Sequence, residues 1–204
     1  MDRVAHWENI YGTKKLTEVS WYQAKPEVSL RLIHESGIQK DEAIIDIGGG
    51  DSFLVDHLIE AGYTNITVLD ISQKAIERAQ ERLGDKAELV NWIVSDITAF
   101  EPKQEYQLWH DRAVFHFLTS PIDIEHYKSC LTQATGINSH LIVGTFSESG
   151  PDKCSGIQIK KYSKQELAEE FRAHFKTVEL FNIDHPTPFN TIQNFSFVHL
   201  ERNN

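Results

Sequence analysis

Ile44-Ile45-Asp46-Ile47-Gly48-Gly49-Gly50-Asp51-Ser52 is the stretch that decides the fold. The run from Glu42 to Ile47 is short, apolar and stopped by glycines, which reads as a buried strand. Gly48 and Gly50 then suit a backbone that turns sharply and comes close to a ligand, where side chains would block the approach. Asp51 to Ala61 follows as a helix, with Phe53, Leu54, Leu58 and Ile59 at helical spacing and Gly62 at its end. A glycine turn by itself is equally a bare tight turn, so its surroundings must decide what it serves.

Outward from this unit the same alternation repeats. Asn65–Asp70 reads as a second strand and Ser72–Leu83 as a second helix, with Ser72 as N-cap and Gly84 closing it. Leu89–Val94, Tyr106–His110 and Ser139–Phe146 are further strands, with helices over Ile122–Ala134 and Lys164–Phe171. Lys176–Phe181 and Phe195–Leu200 follow with little between them but a turn holding Pro186 and Pro188, which favours an antiparallel pair at one sheet edge. Strand–helix alternation implies a parallel sheet with right-handed crossovers. The expected fold is therefore α/β: a Rossmann-like, doubly wound, seven-stranded and mostly parallel sheet with an antiparallel edge strand and helices on both faces. Ligands of such sheets bind outside the carboxyl ends of the strands.

The 204 residues suit one domain, with an N-terminal segment and helix over 1–36 and the core over 37–204. With 40% hydrophobic and 25% charged residues the composition is that of a globular protein. No run is apolar for the ~20 residues a membrane helix needs, and Met1-Asp2-Arg3-Val4-Ala5-His6 lacks the apolar core of a secretion signal. Cys130 and Cys154 form no CxxC spacing and read as reduced thiols of a cytoplasmic protein. A net charge of −10, with no basic run longer than Lys160-Lys161, disfavours a nucleic-acid partner. No His/Asp/Glu cluster has metal-ligand spacing, so no metal is expected. The sequence leaves the oligomeric state open.

Two acids turn the glycine motif into a constellation. Asp70, with Ile71 after it, ends the second strand, where a carboxylate can accept both hydroxyls of a ribose. Asp96 sits at the matching place after the third strand and can accept from an adenine amine, with the Ile97 amide facing the ring. Asp70 alone is also an ordinary helix-capping acid; together with the glycines the two acids read as an adenosyl site. A dinucleotide-binding turn usually carries a third glycine and keeps its helix N-terminus free for pyrophosphate. Here Ser52 takes that glycine's place and Asp51 puts a carboxylate in the first turn, while Asp46 can orient the turn and face a cationic amino-acid moiety. The charges favour S-adenosyl-L-methionine over NAD.

These residues resemble class I methyltransferases: Asp46-Ile47-Gly48-Gly49-Gly50, Asp70 and Asp96 look like the first three motifs of that family. Further stretches resemble a bacterial subgroup of it, among them His6-Trp7-Glu8-Asn9-Ile10-Tyr11, Val19-Ser20-Trp21-Tyr22-Gln23, the run from Trp109 to Leu118, Gly150 to Gly156, and His185-Pro186-Thr187-Pro188-Phe189. The subgroup is distantly similar to lysine methyltransferases of citrate synthase and elongation factor. The resemblance implies S-adenosylmethionine as cofactor, S-adenosylhomocysteine as its product, and an N-terminal segment folded over the site as a lid. Ser52 departs from the family's commonest glycine there.

Methyl transfer from a sulfonium needs alignment and exclusion of water more than covalent help. His110 and Asp111, ending the fourth strand, are candidates beside the methyl group, with Arg112 as a substrate or structural partner; a buried Asp–Arg pair fixing the loop is the plainer reading. His116 is a candidate base or else a hydrogen-bonded core histidine. Trp21 and Tyr22 are candidates for the lid, where an aromatic ring beside a sulfonium gains cation–π stabilisation, or else a staple for the helix starting at Pro26. Two acceptor classes fit: a small molecule, suggested by the compact chain, and a protein lysine, suggested by the distant resemblance and the acidic surface. An NAD-dependent oxidoreductase could also use a glycine turn of this kind, and so could a binding protein that keeps the fold without turnover.

Overall fold

The computed structural model describes residues 2–203. Helix α1 (Arg3–Thr13) comes first, capped by Asp2, whose side chain accepts from the Ala5 amide, and α2 (Glu27–Glu35) follows. The alternating part runs β1 (Ile44–Ile47), α3 (Leu54–Glu60), β2 (Ile66–Asp70), α4 (Gln73–Leu83), β3 (Val90–Val94), β4 (Tyr106–Arg112), α5 (Pro121–Ala134) and β5 (Thr135–Phe146). A two-residue hairpin, β6 (Lys153–Cys154) and β7 (Ile157–Gln158), precedes α6 (Lys164–Phe171), β8 (Phe175–Pro186) and β9 (Ile192–Arg202).

The seven-stranded sheet has the order β3-β2-β1-β4-β5-β9-β8. All pairings from β3 to β5 are parallel, and β9 enters antiparallel between β5 and β8. The expected α/β sheet with its antiparallel pair at one edge is the fold observed. The order reverses between β1 and β4, and this is the crevice where an open parallel sheet binds its ligand.

Local chemistry explains the elements. Ser72 accepts from the Ala75 amide and Gly84 adopts a positive φ of 57° after α4, so both ends of that helix are satisfied by its own sequence. Ala75, Ile76 and Ala79 form its buried stripe. Pro121 occupies the first turn of α5, where its missing N–H costs nothing. Ser163 and Glu166 form a reciprocal capping box on α6.

Each central strand is buried on both faces, and the two-residue period of a strand sends neighbours to opposite cores. Ile45 and Trp109 join Tyr127, Leu167 and Phe171 on the α5–α6 side, whereas Ile44 and Leu108 join Leu32, Ile33, Leu54 and Leu58 on the α2–α3 side. The same alternation decides where the polar residues at the ends of β1 and β4 point. Among the described residues no helix is long and apolar enough to cross a membrane, and both cysteines are free and buried.

Candidate functional site

The glycine turn after β1 is held against the end of β2. The amides of Gly48 and Gly49 donate to the Leu69 carbonyl at 2.7 and 3.3 Å. Gly48 has φ +65°, and a Cβ placed there would run into Val114 Cγ2. Gly50 has φ +44°, and its Cβ would meet Asp70 Oδ2 at 2.7 Å and the Tyr11 hydroxyl at 3.2 Å. Only glycine fits these two positions, for conformation and for space.

Two cavities open over this turn. The larger, about 840 Å³, runs from the ends of β2 and β3, where Asp70, Ile71, Asp96 and Ile97 line it, to an apolar wall of Phe117, Phe146, Cys154 and Phe195. The second, about 560 Å³, lies on the α2–α3 side and is lined by Asp46, Gly49, Tyr22, Phe53 and His110 among others. Tyr11, Trp21, Gly48 and Arg112 face both, so the cavities form one bent site. Of the residues singled out in the sequence, Trp21, Tyr22, Asp46, Gly48, Asp70, Ile71, Asp96, Ile97 and His110 are brought together here. Gly50 lies beneath, filling the place where a side chain would strike Asp70.

Asp70 is buried, and its Oδ1 accepts from the Ser72 amide at 2.8 Å. Burial raises its carboxyl to about 7, with Asp51 and Asp46 adding like charge. Asp96 accepts from the Thr98 amide and hydroxyl and lies 3.4 Å from Arg3 Nη1. Asp46 Oδ1 is 2.7 Å from His110 Nδ1, and His110 Nε2 is 2.8 Å from Ser29 Oγ. Asp51 does not stand alone at the turn: Arg78 Nη2 is 3.2 Å away. Its negative charge is therefore largely matched within the protein, which weakens the charge argument drawn from it against pyrophosphate.

Asp111 and His116 line neither cavity. Strand alternation sends Asp111 to the α5 side, where it accepts from the amides of Val114 and Phe115 and from the Tyr127 hydroxyl. Its partner is this loop and Tyr127 rather than Arg112. Burial lifts it to about 6, against those hydrogen bonds. His116 packs behind Phe117 and Phe146, with Nδ1 accepting from the Phe146 amide at 3.3 Å and Nε2 buried without a partner. Burial, reinforced by Arg112, lowers it to about 3, so it is a neutral imidazole at physiological pH.

Arg3, Trp7 and Tyr11 of α1 also line the larger cavity, and sequence reasoning did not select them. Their spacing of four places all three on one helix face, a signal present in the sequence. Arg3 joins Asp96 to Asp123, and Glu8 accepts from the Ser72 hydroxyl and the Lys74 amide, so α1 is latched across the carboxyl ends of β2 and β3. The Trp21 segment is latched separately: Arg112 Nη1 donates to the Trp21 carbonyl, and His185 Nε2 lies 2.8 Å from the Ser20 carbonyl.

A family model described as "Methyltransferase domain" matches residues 44–134, from the start of β1 to the end of α5. The eEF1A lysine and N-terminal methyltransferase of Mus musculus is 29% identical over 108 residues, 52% of this chain and 15% of that protein. The malonyl-[acyl-carrier protein] O-methyltransferase of Anoxybacillus flavithermus is 33% identical over 92 residues, 45% of this chain and 33% of that protein. The chain thus spans a third or less of these curated relatives. Among solved structures, the N-methyltransferase NodS of Bradyrhizobium japonicum WM9, in complex with S-adenosyl-L-homocysteine, aligns over 100% of both chains with a TM-score of 0.73 at 13% identity. The chain has the class I, Rossmann-like methyltransferase fold, and its residues 44–134 match the model of the methyltransferase-domain family.

Proposed function

We propose that the protein is an S-adenosylmethionine-dependent methyltransferase acting on a small-molecule acceptor. The observation that carries this reading is the row of strand ends: the glycine turn, Asp70 and Asp96 come from three successive parallel strands and face one continuous site. Asp70 stands where a ribose diol would be bound, with Oδ1 committed to Ser72 and Oδ2 facing the space that Gly50 leaves open. Asp96 and the Ile97 amide serve the adenine end. Asp46, Gly48, Gly49 and His110 serve the amino-acid end in the second cavity. The residues present therefore fit the cofactor, which when bound supplies an electrophilic methyl group on a sulfonium.

The chain's own part is to bind, orient and keep water out. Trp7 and Trp21 cover the bend of the site and pack edge to face at 5.9 Å between ring centres. An aromatic cover excludes water and offers π faces to a cation. His116 is held neutral and Cys154 is held protonated, burial raising its thiol to about 11. Neither is poised as a base at neutral pH.

The relatives are named for acceptors as different as a protein lysine and an acid carried on acyl-carrier protein. The small-molecule reading rests on the apolar wall, which sits beneath α1 and the Trp21 segment and is lined by aromatic side chains rather than carboxylates. An open acidic trench would have suited a lysine chain. Calorimetry with S-adenosylhomocysteine and NAD tests the cofactor: micromolar binding of the first and none of the second is expected, and the reverse would overturn the assignment. Labelled methyl transfer from S-adenosylmethionine, read in protein and small-molecule fractions, tests the acceptor class.

A further inference from the structure

Arg112 ends β4 at the bend where the two cavities meet. Its Nη1 donates to the Trp21 carbonyl at 3.0 Å, and its guanidinium carbon lies 5.1 Å from the centre of the Phe195 ring. Its Nη2 is shut off from bulk solvent and has no hydrogen-bond partner. No carboxylate among the described residues forms an ion pair with it; Asp46, the acid whose charge it feels most, is engaged with His110. Burial lowers its pKa only to about 10, so the group stays charged at neutral pH.

A partly buried cation with one buried, unpartnered nitrogen and no paired counter-charge is costly, and the cost persists only where something else is gained. Its neighbours on the apolar wall offer no compensation: Phe117, Phe146, Phe195 and the protonated Cys154 carry no charge. The ring over which Arg112 lies, Phe195, lines the larger cavity and not the second, so the guanidinium packs against the apolar wall of the larger cavity. A sulfonium held nearby would add a second positive charge. A cationic acceptor would add a third, and an anion would relieve both.

We infer that the methyl acceptor is an apolar molecule carrying a carboxylate, which pairs with Arg112 while the rest of the molecule packs on Phe117, Phe146 and Phe195. This rests on the methyltransferase reading and deepens it by naming the charge of the substrate. A guanidinium nitrogen donating to a carboxylate is a strong hydrogen bond because both partners are ionised, and a low-dielectric wall strengthens it further. The same chemistry has a second source, the α-carboxylate of the cofactor itself, and the experiment separates the two.

Calorimetry on the protein saturated with S-adenosylhomocysteine would compare phenylpropionate, phenylpropanol and phenylpropylamine, which share one apolar body. We expect the acid to bind at least about tenfold more tightly than the alcohol, and the amine to bind most weakly. In Arg112→Gln the preference for the acid should vanish, and Arg112→Lys should restore part of it; thermal melting checks that both variants fold. An acid that binds no better than the alcohol overturns the proposal. So does an Arg112→Gln variant that loses affinity for S-adenosylhomocysteine but not for methylthioadenosine, because the counter-charge is then the cofactor's carboxylate. Failure of the unaltered protein to bind S-adenosylhomocysteine would instead remove the methyltransferase reading on which the proposal stands.

Discussion

Asp46 Oδ1 and His110 Nδ1 lie 2.7 Å apart across β1 and β4, and the far nitrogen of the ring reaches Ser29 on α2. Strand register places the two residues side by side, with Asp46 opposite His110 in the parallel pair. The bridge fixes the ends of both strands at the point where the sheet order reverses. It also fills a gap beside the glycine turn, since a Cβ on Gly49 would come within 2.6 Å of Asp46 Oδ2. In His110→Leu a buried carboxylate loses its partner, and a stability loss of about 2–4 kcal/mol is expected by urea unfolding. An unchanged midpoint would show that the bridge contributes nothing.

Asp70 should tighten cofactor binding as it loses its proton. Its ordinary value is 3.8, and burial raises it to about 7. Affinity for S-adenosylhomocysteine should therefore rise between about pH 6 and pH 8, and Asp70→Asn should weaken binding roughly 30-fold or more and flatten that rise. The effect on stability has the opposite sign. The folded protein keeps a proton that the unfolded chain has lost above about pH 4, so this group costs stability increasingly as pH climbs to 7. Asp70→Asn should thus be relatively more stable at pH 8 than at pH 4, measured as the difference in unfolding free energy between variant and parent.

His116 works in the other direction. Burial lowers it from 6.5 to about 3, so the unfolded chain takes up a proton there first as pH falls. Its contribution is present above about pH 6.5 and is lost progressively toward pH 3. His116→Asn, which can keep an acceptor near the Phe146 amide, should shift the acid-unfolding midpoint to lower pH. An identical acid transition in the two proteins would exclude the buried neutral imidazole.

Tyr127 connects Trp109 to Asp111: its hydroxyl accepts from Trp109 Nε1 at 2.9 Å and donates to Asp111 Oδ2 at 2.8 Å. Tyr127→Phe removes both bonds and leaves two buried polar groups short of a partner. A loss of about 1–3 kcal/mol is expected by chemical denaturation, and a neutral outcome would show that Asp111 is satisfied by its loop amides alone.

Gly48 has no tolerance for a side chain. Gly48→Ala must accommodate both a positive φ and a methyl group driven into Val114. The expected loss is about 1–3 kcal/mol of stability, accompanied by weaker binding of S-adenosylhomocysteine in the same calorimetric assay. Full affinity in this variant would mean that the turn does not shape the site.

Much of this was readable in the residues. The alternation of apolar runs with capped helices identifies the sheet because each signal is local: Ser72 and Gly84 bound α4 wherever it packs. The acids at the strand ends are readable for the same reason, since a parallel strand delivers its last residue to one edge. Asp111 was harder to place. Two neighbours at the end of β4 face opposite cores, so a shift of one residue in the strand's phase would exchange the roles of His110 and Asp111. Arg3, Trp7 and Tyr11 share a helix face in the sequence, but nothing local says that this face lies against β2 and β3. Phe146, Cys154 and Phe195 meet only because β9 enters between β5 and β8, a long-range pairing that no short stretch announces.

That insertion of β9 divides the molecule's chemistry along the chain. The acids and glycines that fit an adenosyl group are all encoded before residue 97, within the matched segment that ends at 134. The apolar wall draws Phe146, Cys154 and Phe195 from beyond it. Under the proposed function, substitutions beyond residue 134 alter Phe146, Cys154 and Phe195 of the acceptor wall without touching Asp46, Asp70 or Asp96, whereas Arg112 and Phe117 belong to the matched segment and tie the wall to it.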